Sequence, residues 1–362
     1  MAISKNRSID GLRGYLALAV VAHHFWIEWT YVTTGQWIEP ANTVFRNLGP
    51  VAVMMFFAIT AFLFYGKLVR SNGLTNWSAL YLGRFLRLTP MYLFCVALLM
   101  AVVLVHTRFE ITVSPASLAV SVVKWALFTL WGAPDINNFK ETAWIIAGVT
   151  WTLRYEWLFY FLLPTIALAI RLIGPRPGVR IATLLALALL VALLPSLTIF
   201  GFDTELAIPF LAGMIAYDLG EVSTIRQKAK SAVSSILVVL GILSAIALPL
   251  PSYSPVRMIL AGFAFVIIAN GNGIFGFLLS RANSRLGEAT YSIYLLQGFV
   301  LHFTFLALTS WGYDLNSPVT WAFLPIAMAI LILISFVTFR FIEEPLMQIG
   351  RRPGIQLADA AP

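Results

Sequence analysis

Residues 10–29 read DGLRGYLALAVVAHHFWIEW. A charged opening, Asp10 and Arg13, leads into an apolar run that ends in two adjacent histidines, His23 and His24. The run is long enough to be a helix through a lipid bilayer, whose apolar core of about 30 Å needs roughly 20 residues. Counting about 1.5 Å per residue from Leu12 puts His24 roughly 18 Å along such a helix, near mid-membrane. Titratable groups at that depth are costly, which makes each a functional candidate. The plainer alternative is a neutral histidine satisfied by a backbone carbonyl of another helix. His23 and His24 point about 100° apart on a helix, so they face different partners.

Composition supports this placement. Of 362 residues, 60% are hydrophobic and 11% charged, where a soluble domain has about 25% charged residues. Mean hydropathy is +0.86. Apolar runs near 12–30, 48–66, 89–106, 151–170, 181–199, 205–220, 232–250, 256–279, 288–309 and 320–340 read as ten spans. An eleventh run, 115–132, is interrupted by Ser117, Ser121 and Lys124.

Cytoplasmic loops carry an excess of lysine and arginine, and this decides the doubtful run. If 115–132 does not cross, most of the 24 lysines and arginines fall on one side. They sit at the N-terminus and in or beside 67–87, 171–180, 226–230, 281–285 and 340–352. The other side then holds mainly Glu28, Glu39, Glu110, Asp135, Glu141, Asp203, Glu205 and Asp314. The expectation is an all-α integral membrane protein with about ten transmembrane helices and both termini cytoplasmic. Residues 115–132 would form an interfacial or re-entrant helix. Residues 1–350 read as one membrane domain and 351–362 as a short tail. The net charge of +8 is then a topology signal, with no reason to invoke nucleic acid. A single cysteine, Cys95, excludes internal disulfides and cysteine-based metal clusters.

Polar groups in or beside the spans gather in a few places. Arg84 and Arg87, in YLGRFLRLTPMYL, share a helical face at the mouth of the third span, level with Arg13. Three guanidiniums could fork onto phosphates, or could simply set topology and meet lipid headgroups. Glu156 lies about one and a half turns into WTLRYEWLFY, with Arg154 on nearly the opposite face. Tyr291, Tyr294 and Gln297, in YSIYLLQ, form a polar stripe, and such stripes also serve as glue between helices. In RFIEEP, Arg340 and Glu343 are spaced to pair and Pro345 reads as a stop. Neither a phosphate-binding glycine loop nor a zinc-like spacing occurs.

These motifs, in this order, resemble acyltransferase family 3, the bacterial multi-span acyltransferases of cell-surface sugars, over about residues 8–348. DGLRG followed by a histidine eleven residues after its arginine selects His24. FFAITAFLF (56–64), the pair Arg84 and Arg87, WTLRYEW with Glu156, FLAGM (210–214), YSIYLLQ (291–297) and RFIEEP (340–345) continue the likeness. Ala61 replaces a usual glycine, Gln297 a frequent histidine, and Arg154 a usually small residue.

The resemblance implies transfer of an acyl group, acetyl on family frequency, from acyl-CoA to a carbohydrate hydroxyl, in the bacterial cytoplasmic membrane. The acceptor would be a surface polysaccharide, a lipo-oligosaccharide or a glycosylated metabolite. Arg13, Arg84 and Arg87 would hold the CoA phosphates. His24 would act as general base, or would carry the acyl group itself. Glu156 would orient the imidazole or stabilise its charged form, and Tyr291 or Tyr294 would donate to the oxyanion. Acyl-CoA, acetyl-CoA in particular, is a donor substrate here, and neither a resident cofactor nor a metal is implied. The competing class is a polysaccharide or small-molecule transporter, which ten spans also fit. No inverted repeat of the kind transporters show is visible.

Overall fold

The structure, a computed structural model, describes residues 6–194, 197–199 and 201–349; the tail read at 351–362 lies outside them. It is nearly all helix. In chain order the helices are α1 (Arg7–Thr34), α2 (Thr43–Arg70), α3 (Trp77–His106), α4 (Pro115–Ala126), α5 (Trp151–Ile173), α6 (Pro177–Leu193) and α7 (Ala207–Gly220). They continue with α8 (Ser223–Ala229), α9 (Ala232–Ala247), α10 (Pro255–Ala269), α11 (Arg281–Glu288), α12 (Thr290–Ser310), α13 (Phe323–Thr338) and α14 (Glu344–Ile349). The strands described are a two-residue antiparallel pair, Thr198–Ile199 with Phe202–Asp203. Several helices start on a side-chain oxygen that accepts from their first free amides. Asn42 does so for α2, Asn76 for α3, Ser231 for α9 and Ser254 for α10.

Two compact units share the chain. The first holds residues 1–23, 39–74 and 156–288; the second holds 24–38, 75–155 and 289–362. Helices α1 and α5 therefore contribute residues to both.

In the first unit the DGLRG stretch is already helical, within α1 from Arg7. Its glycines are there for packing. A Cβ on Gly11 would strike the Leu278 carbonyl oxygen, and one on Gly14 would lie 2.6 Å from Leu286 Cγ. Gly287 of α11 in turn abuts the Asp10 carbonyl. Helix α2 meets α7 in the same way, with Gly213 against the Ala58 carbonyl. Phe210 of α7 stacks between Phe57 of α2 and Phe159 of α5, with centroids 4.6 and 4.8 Å away.

Two arginines are buried in this unit. Arg180 of α6, counted above as part of a cytoplasmic basic loop, donates from Nε (3.0 Å) and Nη2 (2.7 Å) to Oδ1 of Asp218. Tyr65 Oη donates to the other oxygen of Asp218 at 2.6 Å. The carboxylate is wholly buried and Arg180 is 4% exposed. Arg257 is also wholly buried. Its guanidinium donates to the carbonyls of Ala245, Leu248, Leu250 and Pro251. These include acceptors that the end of α9 leaves without helical partners.

The second unit centres on α12, whose face from Thr290 to Phe299 is continuously buried. At Gly298 the backbone of Ile146 and Ala147 comes so close that a Cβ would overlap it. This brings the irregular segment after α4 onto the helix. Helix α4 has 12 residues, about 18 Å at 1.5 Å per residue, short of an apolar core about 30 Å thick. Its Trp125 is buried, accepts from Tyr92 Oη through its carbonyl at 2.6 Å and donates from Nε1 to the Pro134 carbonyl at 2.8 Å.

RFIEEP departs from its sequence reading. Pro345 does not stop the helix; a π turn at Phe339–Glu343 leads directly into α14. Proline lacks an amide hydrogen and its ring clashes with the carbonyl four residues back; a widened turn relieves that clash. Arg340 pairs with Glu344, not with Glu343. Glu343 is wholly buried and accepts a hydrogen bond from Ser292.

Among the described residues, five helices are long and apolar enough to cross a membrane: α2, α3, α5, α12 and the run Pro318–Ile349. A sixth is possible if Thr204–Gly220 and Ser223–Ala229, bent by 107°, count as one span. Helices α6, α9 and α10 are apolar but shorter, at 17, 16 and 15 residues. Helix α1 has the length, 28 residues, but its histidines and charges dilute its apolarity. An integral membrane protein is the architecture these helices support; ten spans is a finer statement than their lengths carry.

Candidate active site

The adjacent histidines of α1 take different surroundings. His23 is buried in the first unit, its Nδ1 2.9 Å from the Phe45 carbonyl. Its ring occupies the space a Cβ on Gly49 would need, 2.6 Å from Cδ2. That is a packing position. His24 belongs to the second unit and is half-buried, with Nδ1 3.3 Å from Oε1 of Gln297.

The Gln297 amide donates from Nε2 to the Tyr294 carbonyl at 2.9 Å, which turns Oε1 toward His24. An amide oxygen only accepts, so in this contact Nδ1 of His24 is the donor.

The tyrosines of the same stripe hold helices together. Tyr291 Oη donates to the Leu88 carbonyl at 3.0 Å, which ties α12 to the residue after Arg87. Tyr294 Oη lies 2.7 Å from Thr152 Oγ1 and 3.2 Å from the Val149 carbonyl. Either hydroxyl would have to exchange an existing bond before serving an oxyanion.

The remaining candidates divide between the units. Arg84 and Arg87 are half-buried near the start of α3 in the second unit, with Leu88 and Thr89 buried just beyond. Arg13 and Glu156 are half-buried in the first. Glu156 accepts a hydrogen bond from Tyr160 one turn along α5. The structure thus brings together His24 with Gln297, and Tyr291 with the segment after Arg87.

One pairing went unread in the sequence. Glu28, counted there only as an external acid, is buried with its Oε1 3.6 Å from Nδ1 of His302. The available signal was its spacing: Glu28 lies four residues after His24 and so on the same helical face.

The chain matches the acyltransferase domain family over residues 6–340. It belongs to that family. The match spans nearly every element described above, from the start of α1 to the π turn. This family membership, with the apolar helices, makes the protein a membrane acyltransferase. No curated protein and no solved structure is similar enough to be matched.

Proposed function

We propose that this acyltransferase moves an acyl group, acetyl by preference, from acyl-CoA to a hydroxyl of a carbohydrate at the bacterial cytoplasmic membrane. The supporting observation is the His24–Gln297 contact, in which Nδ1 of His24 donates to the amide oxygen and Nε2 is left as the nitrogen for chemistry when the ring is neutral. A neutral imidazole suits proton abstraction near pH 7. It is equally a nucleophile toward a thioester. Both routes use the same lone pair.

On this reading Arg13, Arg84 and Arg87 bind the CoA phosphates at the cytoplasmic face. Guanidiniums suit phosphate because their planar donors engage two oxygens at once. Glu156 stabilises the charged imidazole, and Tyr291 supplies an oxyanion donor if it releases Leu88. The chain forms one membrane domain of ten spans, with both ends cytoplasmic and the helix near 115–132 at the outer interface. Apolar surroundings keep water from the thioester.

Membranes from cells with and without the gene, supplied with labelled acetyl-CoA, test this reading. Label should appear as an alkali-labile ester on surface glycan only where the gene is present. Equal ester content in both, with a difference in glycan export instead, would favour a transporter.

A further inference from the structure

Glu28 and His302 play no part in the reaction as written so far. Both belong to the second unit, as do His24 and Gln297. Helices α1 and α12 present them in parallel order: His24 meets Gln297, and four residues on in α1 and five in α12, Glu28 meets His302. The Glu28 side chain is 5% exposed and that of His302 20%. At 3.6 Å the contact is too long for a hydrogen bond and close enough for strong attraction in a dry setting. A carboxylate attracts the protonated nitrogen, so the hydrogen sits on Nδ1 and the lone pair on Nε2. That Nε2 is buried and has no hydrogen-bond partner among the described residues. His106, exposed at the end of α3, meets the same ring edge-on with centroids 5.7 Å apart.

A buried carboxylate–imidazole contact adds little stability over apolar packing, and a buried acid is costly. Gluing helices together does not require one. The chemistry of the proposed reaction does supply a need. If Nε2 of His24 takes the acyl group, that nitrogen can no longer accept a proton. The hydroxyl that attacks next requires a second base.

We propose that Glu28 and His302 form this second base, a carboxylate–imidazole pair that serves the acceptor half of the reaction; the proposal rests on the acyltransferase reading above. In the first half, Nε2 of His24 attacks the thioester carbonyl carbon. The C–S bond breaks and coenzyme A leaves as the thiolate, with the acyl-imidazolium hydrogen held by Gln297. In the second half, the acceptor oxygen bonds to the acyl carbon. The C–N bond breaks, and its electron pair returns to Nε2 of His24. The hydroxyl proton passes to Nε2 of His302, and Glu28 neutralises the charge that forms. The proton then leaves to solvent.

The test uses the full chain in lipid nanodiscs with labelled acetyl-CoA, alone and then with glycan extracted from cells lacking the gene. Released coenzyme A and protein-bound label report the first half; labelled glycan reports the second. His302→Gln should keep a burst of one coenzyme A per protein and retain the label, while glycan turnover falls about 100-fold or more, as loss of a general base does. Glu28→Gln should keep the burst and slow turnover about 10-fold, the lower range for an orienting charge.

Wild-type turnover in His302→Gln overturns the proposal. So does loss of its burst together with turnover, or a wild-type protein that labels glycan but never carries label itself. Should His302→Gln fail to insert, Glu28→Gln carries the same comparison. A wild-type protein that labels no glycan at all refutes the acyltransferase reading instead.

Discussion

Replacing Asp218 with alanine removes the centre of a fully enclosed polar knot. The carboxylate receives two guanidinium N–H bonds from Arg180, at 3.0 and 2.7 Å, and the Tyr65 hydroxyl at 2.6 Å. The substitution leaves an uncompensated guanidinium 4% exposed and a phenol without its acceptor. Breaking such a pair from one side costs about 3–5 kcal/mol, and the orphaned hydroxyl adds about 1 kcal/mol. Asp218→Ala should therefore lose roughly 4–6 kcal/mol, measured as the shift of the unfolding midpoint in mixed micelles. The double variant Arg180→Met, Asp218→Leu removes both charges and fills the space. It should recover to within about 1 kcal/mol of wild type, because a buried pair is worth little over good apolar packing. The two single losses would then be strongly non-additive. If Asp218→Ala costs less than about 1 kcal/mol, or the double variant is as poor as the sum of the singles, the knot is not buried as described.

Four further outcomes follow from the geometry. Gln297→Ala should lower turnover about fivefold, the worth of one neutral hydrogen bond near 1 kcal/mol, with the KM for acetyl-CoA unchanged in steady-state assays. His24→Gln should abolish both coenzyme A release and glycan labelling while insertion stays normal, as checked by size-exclusion chromatography. Arg84→Ala should chiefly raise the apparent KM for acetyl-CoA, by about 10-fold or more for a lost charged contact; an unchanged KM removes Arg84 from the donor site. Gly298→Val should destabilise the protein through overlap with the backbone at Ile146, visible as a lower unfolding midpoint.

The helical, membrane-embedded character was legible because apolar runs of bilayer length leave few alternatives. Local spacing also separated His23 from His24, since adjacent helical residues diverge by about 100°. Position-by-position reading failed where a residue's role depends on a distant neighbour. Gly11 and Gly14 had no role legible in the sequence; the carbonyl of Leu278 and the side chain of Leu286 are what demand them. Arg180 counted as a topology charge because nothing nearby in the chain announced Asp218. Arg340 and Glu343 had the right spacing for a regular helix; the π turn shifts the pairing to Glu344. Glu28 and His302 stayed hidden for the same reason, as partners brought together only by the packing of α1 on α12.

The widened turn at Phe339–Glu343 has a mechanical consequence. It sets two consecutive acids in different environments, Glu343 enclosed with Ser292 and Glu344 half-buried beside the exposed Arg340. Pro345 prevents the ladder from closing up, because it has no hydrogen to offer the carbonyl four residues back. An alanine there would return that hydrogen and let the strand of backbone rewind by one residue. The enclosed acid would then swing off its serine, so this proline acts as a ratchet pawl for a carboxylate.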